Sequence, residues 1–388
     1  MAEAKGNART LAQTLAIQSQ ICLPGTVGRI LHQIRELESI APLFVKAGLV
    51  KSVDRPTPLN LKVSGIGTRS TVKRTVGGFV YATAAVRIDL VVENNVVSTA
   101  GQDSRCEIDD INFEDQSKTL QLNEARLAYT LAEAALDDFE PDLVLMDCPL
   151  ALNRSMVPNS GRDTEGQYNQ SYSRAIEAIR RFWVNKKSSI FPWAENGPVV
   201  GGIAAQRFGA IVHSAMADLR DTQGRSQVLS SESTDLRVLE TLGRRADSIR
   251  GIGERRFVFG LLGGYTRTAA FKMSVHTPRM EPSLLTDLGV LGVHYRAGLH
   301  GSPQLLQLIG DETGWGKDSA DDVTGKIMAL TATGGDKAMP LPIQLAYREL
   351  KGLDAFLENY RRGLAEEMRN RRIEKAWLED VDAFDQDN

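Results

Sequence analysis

The stretch from Gln121 to Leu150, QLNEARLAYTLAEAALDDFEPDLVLMDCPL, narrows the fold more than any other part of the chain. Leu127, Leu131, Ala134 and Ala135 mark one face of a helix that neither Gly nor Pro interrupts. Leu143 to Met146 then forms a short apolar run of the kind that fills a strand buried on both faces. A helix leading into such a strand belongs to an α/β sheet covered by helices. The run stops on Asp147. An acid there is either a turn or cap residue accepting loop N–H groups, or a functional carboxylate at the carboxyl end of a strand, where α/β proteins place their sites.

The rest of the chain extends this pattern. Ile30, Ile34, Leu37 and Ile40 form a helical stripe near the N-terminus. Pro24 and Gly25 divide that region into two expected helices, and DRPTPLN places a boundary near residue 57. LNLKVSG reads as a first strand, IGTRSTVKRTVGG as the chain turning back, and GFVYATAAVRIDLVVE as a longer strand. NVVSTAG through CEIDDINFE extends the sheet, and residues 153–169 read as a loop. YSRAIEAIRRFWVNK reads as a helix, GPVVGGIAAQ as a buried strand and VHSAMADL as a further helix. RRFVFGLLGG and TAAFKMSVHT resume the β pattern, GSPQLLQLIGDETGWGKDSADD reads as a short helix and loop, and a long helix covers Pro342 to Trp377. The expected organisation is an N-terminal helical segment over 1–57, a mixed α/β domain over 58–378 and an acidic tail over 379–388.

Charge and cysteines narrow the function. A net charge of −3 makes the chain no polycation, so nucleic-acid contacts must come from local basic patches. Cys22, Cys106 and Cys148 are scattered and odd in number, which fits a reduced cytoplasmic setting and offers no zinc spacing. The N-terminus lacks the charge and apolar pattern of a signal peptide, and no apolar run approaches the roughly 18–20 residues of a membrane span.

Several motifs are only apparent. GDETGWGKDS has Asp311 and Asp318 where a phosphate loop needs Gly and Ser or Thr, and GLLGGY lacks the dinucleotide fingerprint. No GxSxG elbow occurs, and the five histidines have no ligand spacing. Carboxylates offer more. Glu124 lies three and seven residues before Leu127 and Leu131, so it borders the buried stripe near the strand that ends at Asp147. Its plainer role is a first-turn acid favoured by the helix dipole, and Glu133 falls on the solvated face. Arg244, Arg245, Arg250, Arg255 and Arg256 make a basic cluster suited either to a phosphate backbone or to a solvated connection.

Glu124 followed by PDLVLMDCPL resembles the NurA nuclease family, and other segments fit in the same order across residues 58–360. LKVSGIGTRS…GGFVYATAAVRI resembles that family's opening hairpin, and PVVGGIAAQ its central strand. AAFKMSVHTPRMEPS, with Arg279, Glu281 and Pro282, and AMPLPIQLAYREL resemble its later motifs. The resemblance implies an RNase H-like mixed sheet flanked by helices, and Mn2+- or Mg2+-dependent DNA cleavage. It further implies a homodimer docked on a hexameric HerA-type translocase, in end processing or anti-phage defence, with no membrane. By the same resemblance Asp147 and Glu124 are the metal ligands and catalytic acids, and Arg279 joins the arginine cluster on DNA. Three places depart from the pattern: Ser64 where the first strand of the family carries Asp, Gln206 where Lys often follows the central strand, and Tyr347 where His is usual. Asp89 on the next strand is the candidate substitute ligand, or else a paired core acid. Two further readings stay open: a weakened or inactive subunit of the same complex, and an unrelated enzyme on the same fold.

Overall fold

A computed structural model describes residues 10–75, 78–111, 116–150, 152, 156–158, 166–204, 228–232, 234–252, 254–273, 288–299, 301–333 and 339–371. The chain opens with helix α1 (Leu11–Lys46) and strands β1 (Val50–Ser52), β2 (Leu61–Thr75), β3 (Gly78–Glu93) and β4 (Val96–Ile111). Then follow α2 (Gln116–Asp138), β5 (Leu143–Met146), α3 (Gln167–Lys186) and β6 (Val199–Ala204). Next come α4 (Leu236–Gly243), α5 (Ala246–Ile252), α6 (Glu254–Leu261), β7 (Thr266–Thr268) and β8 (Phe271–Lys272). The chain closes with β9 (Val290–Arg296), β10 (Gln304–Ile309), α7 (Lys317–Thr333), α8 (Leu341–Leu350) and α9 (Leu353–Asn370).

The described strands form one mixed sheet in the order β1-β7-β9-β10-β6-β5-β2-β3-β4, with β8 beside β9. Its centre is parallel: β5 runs alongside β2, with Met146 opposite Ile66, and alongside β6, with Met146 opposite Gly202. Helices cover both faces. Val144 and Met146 point into the core beneath α1 to α6, whereas Leu143 and Leu145 point into the core beneath α7 to α9. Burial on both faces is why β5 reads as an unbroken apolar run rather than an alternating one.

Several expectations change. Helix α1 runs through Pro24 and Gly25 without a break. Strand β2 does not turn back after Gly65 but continues as a long ribbon to Thr75, paired with β3 from Leu61↔Val92 to Thr75↔Gly78. β1, inside the N-terminal segment, pairs with β7, so that segment contributes to the sheet. RRFVFGLL is helix α6 rather than strand, because Phe257, Val258 and Leu261 meet the core at helical spacing. QLLQLI is β10 rather than helix, buried along its whole length between β6 and β9. The long C-terminal helix is two helices separated at Lys351 and Gly352. The expected helix at VHSAMADL and the acidic tail lie outside the described residues.

A candidate two-carboxylate site

The site forms where β5 ends. The Asp147 N–H donates to the Ile66 carbonyl at 2.8 Å, which extends the parallel pairing one residue beyond the strand. Three contacts fix the chain that follows. The Leu150 N–H donates to Gln307 Oε1 at 2.8 Å, the Tyr129 hydroxyl donates to the Leu150 carbonyl at 2.7 Å, and Trp183 Nε1 donates to that hydroxyl at 3.2 Å. Gly202 on β6 lets this loop lie close, since a Cβ there would stand 2.7 Å from the Cys148 carbonyl oxygen.

From one face, α2 brings Glu124. Its carboxylate accepts from the backbone N–H and the hydroxyl of Ser70, on the part of β2 that runs past the end of β5. From the other face, α8 brings Tyr347, whose hydroxyl donates to Asp147 Oδ2. Helix α8 lies unusually close to β2 because β2 presents two glycines. A Cβ on Gly65 would stand 2.5 Å from Pro342 Cβ, and one on Gly67 would stand 3.0 Å from Ala346 Cβ. Tyr347 adjoins Ala346, so this approach seats its ring over Asp147.

Thr68, Arg69, Ser70, Glu124, Asp147, Tyr347 and Lys351 line a pocket of about 510 Å3. Burial and the neighbouring Glu124 charge push the Asp147 carboxyl up to about 7. Burial likewise raises Glu124, against the opposing pull of the Ser70 hydrogen bonds. Titratable groups perturbed in this way cluster at functional sites, and the repulsion between Glu124 and Asp147 is the part of the shift that a neutralising cation relieves. Tyr295 of β9 is pushed up too, by burial and then by the Asp147 charge, and its hydroxyl has no hydrogen-bond partner among the described residues.

The donor set is hard oxygen, which suits Mg2+ or Mn2+. Among the described residues no group of three or more His, Cys, Asp or Glu side chains converges on one point. Two carboxylates are nevertheless enough for a Mg2+-type ion that keeps several waters and takes its remaining ligands from a substrate phosphate.

The other sequence candidates are distributed differently. Asp89 is not in the pocket. It sits opposite Ser64 in the β2–β3 pairing, accepts from the Ser64 hydroxyl at 2.6 Å and lies 3.1 Å from Arg87 Nε. It is the paired core acid, satisfied by a cation and a hydroxyl. Ser64 is likewise not the β2 position that faces Asp147. The ladder places Gly67 opposite Asp147, and the next residue, Thr68, lines the pocket and donates its hydroxyl to the Asp147 backbone carbonyl at 3.3 Å. Thr68 lies four residues further along β2, about 13 Å at strand rise. Sequence reasoning missed Thr68, Arg69, Ser70 and Lys351; the signal for the first three lay in the length of β2, which carries polar residues past the sheet's centre, and Lys351 follows from the end of α8 beside Tyr347.

Tyr347, the departure at the helix, is at the site. Arg244, Arg245 and Arg256 line no part of the pocket. Arg245 Nη1 donates to Ser39 Oγ at 2.9 Å and Arg256 bonds to Gln33, so both help to hold α1 against α4–α6. Arg250 and Arg255 lie on α5 and α6, and their side chains, like all of Arg279 and Gln206, fall outside what is described. No helix among the described residues is long and apolar enough to cross a membrane.

No family model matches the sequence, and no curated protein matches it. Solved structures do. The crystal structure of the NurA nuclease from Sulfolobus solfataricus aligns with a TM-score of 0.54 at 13% identity, over 92% of this chain and 98% of that one. A second NurA crystal structure aligns with a TM-score of 0.45 at 12% identity, over 88% of this chain and 94% of that one. A third, of NurA with manganese, gives 0.44 at 11% identity over 93% and 100%.

Proposed function

We propose, on the premise that the chain has the fold of the Sulfolobus solfataricus NurA nuclease, an RNase H-like mixed sheet flanked by helices, that it is a divalent-metal-dependent deoxyribonuclease, with Asp147 and Glu124 as its metal-binding acids. The observation that carries the reading is the pair of carboxylates with raised proton affinity, brought together from a strand end and a helix in one open pocket. A divalent cation bound there supplies the Lewis acidity that polarises a phosphodiester and activates water.

The chain's own groups do the rest. Ser70 orients Glu124 through two donated hydrogen bonds, and Thr68 and the β5–β2 pairing fix the backbone of Asp147. Tyr347 holds one Asp147 oxygen and sets its direction. Lys351 contributes a cation at the pocket's rim for a phosphate of the substrate, whereas Arg69 is engaged by Asp354 at 2.5 Å. The same reading takes in a cytoplasmic setting and a homodimer working with a HerA-type hexameric translocase in DNA end processing or defence. Its support is the order of sequence segments from 58 to 360.

One observation favours a second reading, a weakened or inactive subunit of such a complex. β2 offers the pocket a threonine instead of a third acid, and Tyr347 occupies an oxygen of Asp147. The experiment that separates them is cleavage of end-labelled single- and double-stranded DNA with Mn2+ or Mg2+, with and without the cognate translocase. Cutting by wild type that disappears in Asp147→Ala and in Glu124→Ala supports the nuclease. A folded wild type that binds its partner and never cuts supports the subunit, and cutting that survives both substitutions moves the site elsewhere.

A further inference from the structure

Arg69 stands between the two β2 residues that hold the acids. Thr68 donates to the Asp147 carbonyl and Ser70 to the Glu124 carboxylate, so its chain neighbours fix where Arg69 lies relative to both. It lines the pocket, yet its guanidinium is turned to the junction of α8 and α9. Nη2 donates to Asp354 Oδ2 at 2.5 Å, and Nη1 makes a long contact of 3.4 Å with the Leu350 carbonyl. Thr71 and Lys73 follow at every second position, on the same face of β2. Both also serve Asp354: the Thr71 hydroxyl donates to its carboxylate, and the Lys73 charge lies near it.

The pair of Arg69 and Asp354 is easy to exchange. Their side chains are 34% and 53% exposed, and ion pairs in that setting are weak. Asp354 does not depend on Arg69. The Thr71 hydrogen bond is foremost in holding its carboxyl below the ordinary range, ahead of Arg69, and Lys73 adds to both. Its place in the first turn of α9 supports the same charge. Arg69 in turn has a natural second partner, because a guanidinium fork that receives a carboxylate is equally matched to a phosphate.

We infer that Arg69 is a phosphate-binding residue of this site, held in reserve by Asp354 until a nucleic-acid strand enters. The inference rests on the nuclease reading of the pocket and adds a control to it. With Arg69 on Asp354, Lys351 is left to face a phosphate beside two carboxylates. With Arg69 released, the pocket presents two cations, and Lys73 continues the row along β2 for the next part of the strand.

The test is a double-mutant cycle read by DNA binding rather than by cleavage. Fluorescence anisotropy of a labelled single-stranded oligodeoxynucleotide, in EDTA at low salt, is measured for the full chain as wild type, Asp354→Asn, Arg69→Gln and the two combined. Asp354→Asn should tighten binding about threefold, the scale of one exposed ion pair, and the combined variant should bind like Arg69→Gln alone. Glu358→Gln removes an acid one turn further along α9, paired with Arg361 and Arg362, and should stay within about twofold of wild type. If Arg69→Gln does not fold, Arg69→Lys carries the cycle, since it keeps the charge and loses the fork, and the gain from Asp354→Asn should shrink in it. A gain that persists undiminished without Arg69, or an equal gain in Glu358→Gln, overturns the inference, because charge alone then explains it. A loss of affinity in Asp354→Asn overturns it too, since the pair is then a clip that the site needs closed. Cleavage is scored separately. The expected coupling in a chain that never cuts DNA keeps the Arg69 assignment and removes the nuclease reading in favour of the inactive subunit; a failed cycle in a chain that cuts does the reverse.

Discussion

Replacing Asp147 by Asn should stabilise the protein, and by an amount that depends on pH. Burial and the Glu124 charge raise the Asp147 carboxyl from 3.8 to about 7. Between those values the native chain holds a proton that the unfolded chain has released. Stability therefore falls as pH rises through this window and levels off above it. A rise of about three pH units, at about 1.4 kcal/mol each, corresponds to a penalty of about 4 kcal/mol at pH 8. The Tyr347 hydroxyl stabilises the ionised form and residual exposure screens it, which brings the expected effect to about 2–4 kcal/mol. The assay is urea unfolding of wild type and Asp147→Asn in EDTA across pH 4 to 8. Near-equal stability at pH 4, with a gap that opens toward pH 8, follows from this reasoning. A gap of the same size at both ends would refute it, since the effect would then be packing rather than charge.

Three further outcomes follow from the same geometry. Gly65→Val, which forces side-chain atoms against Pro342 and the backbone of Ile343, should cost about 1–3 kcal/mol in thermal unfolding and displace Tyr347 from Asp147. Arg267→Met should cost about 3 kcal/mol at neutral pH, the low end for breaking a buried pair, because it takes the buried guanidinium from Glu232 (2.6 Å) and from the partly exposed Asp321 (2.5 Å), while Glu232 keeps Lys51 and the Ala270 N–H. Arg267 holds Glu232 below its ordinary 4.5, so that stabilisation is present above 4.5 and lost as pH falls through the native value; the cost of the substitution should shrink in acid. Tyr347→Phe removes the donor to Asp147 and should raise that carboxyl further, moving the acid limb of a cleavage pH profile to higher pH; an unmoved limb would show that Tyr347 does not act through Asp147.

Much of the site's frame was legible in the sequence, for physical reasons particular to each element. β5 and α2 announce themselves because one is buried on both faces and the other on a continuous stripe. Their junction is enough to put Glu124 and Asp147 near each other. The third element was not legible. The second half of β2, Thr68 to Thr75, is a polar, half-buried ribbon held by its pairing with β3, and polar alternation does not distinguish a continuing strand from a turn. Placing the turn too early moved the expected acid position to Ser64 and made Asp89 look available, when an arginine two residues away already pairs with it.

α6 and β10 were misread for one reason: short apolar runs look alike as buried helix or buried strand, and only their neighbours decide. Pro24 and Gly25 did not end α1, because a proline removes one hydrogen bond but does not oblige a solvent-facing helix to stop. The closeness of α8 to β2 depends on what faces Gly65 and Gly67 across the sheet, which a linear sequence does not display.

On this reading Asp147 and Glu124 together form a metal site, although β2 contributes Thr68 instead of an acid. Manganese binding to the full chain, followed by the loss of the free-ion paramagnetic resonance signal, tests it without requiring turnover or a partner. Wild type should bind saturably, and binding should weaken at least about tenfold in Asp147→Asn and equally in Glu124→Gln, since losing a ligand costs no less than losing a group that merely orients one. Binding unchanged in both variants, with each still folded, would contradict it and leave the carboxylate pair a buried strain in the fold rather than a catalytic centre.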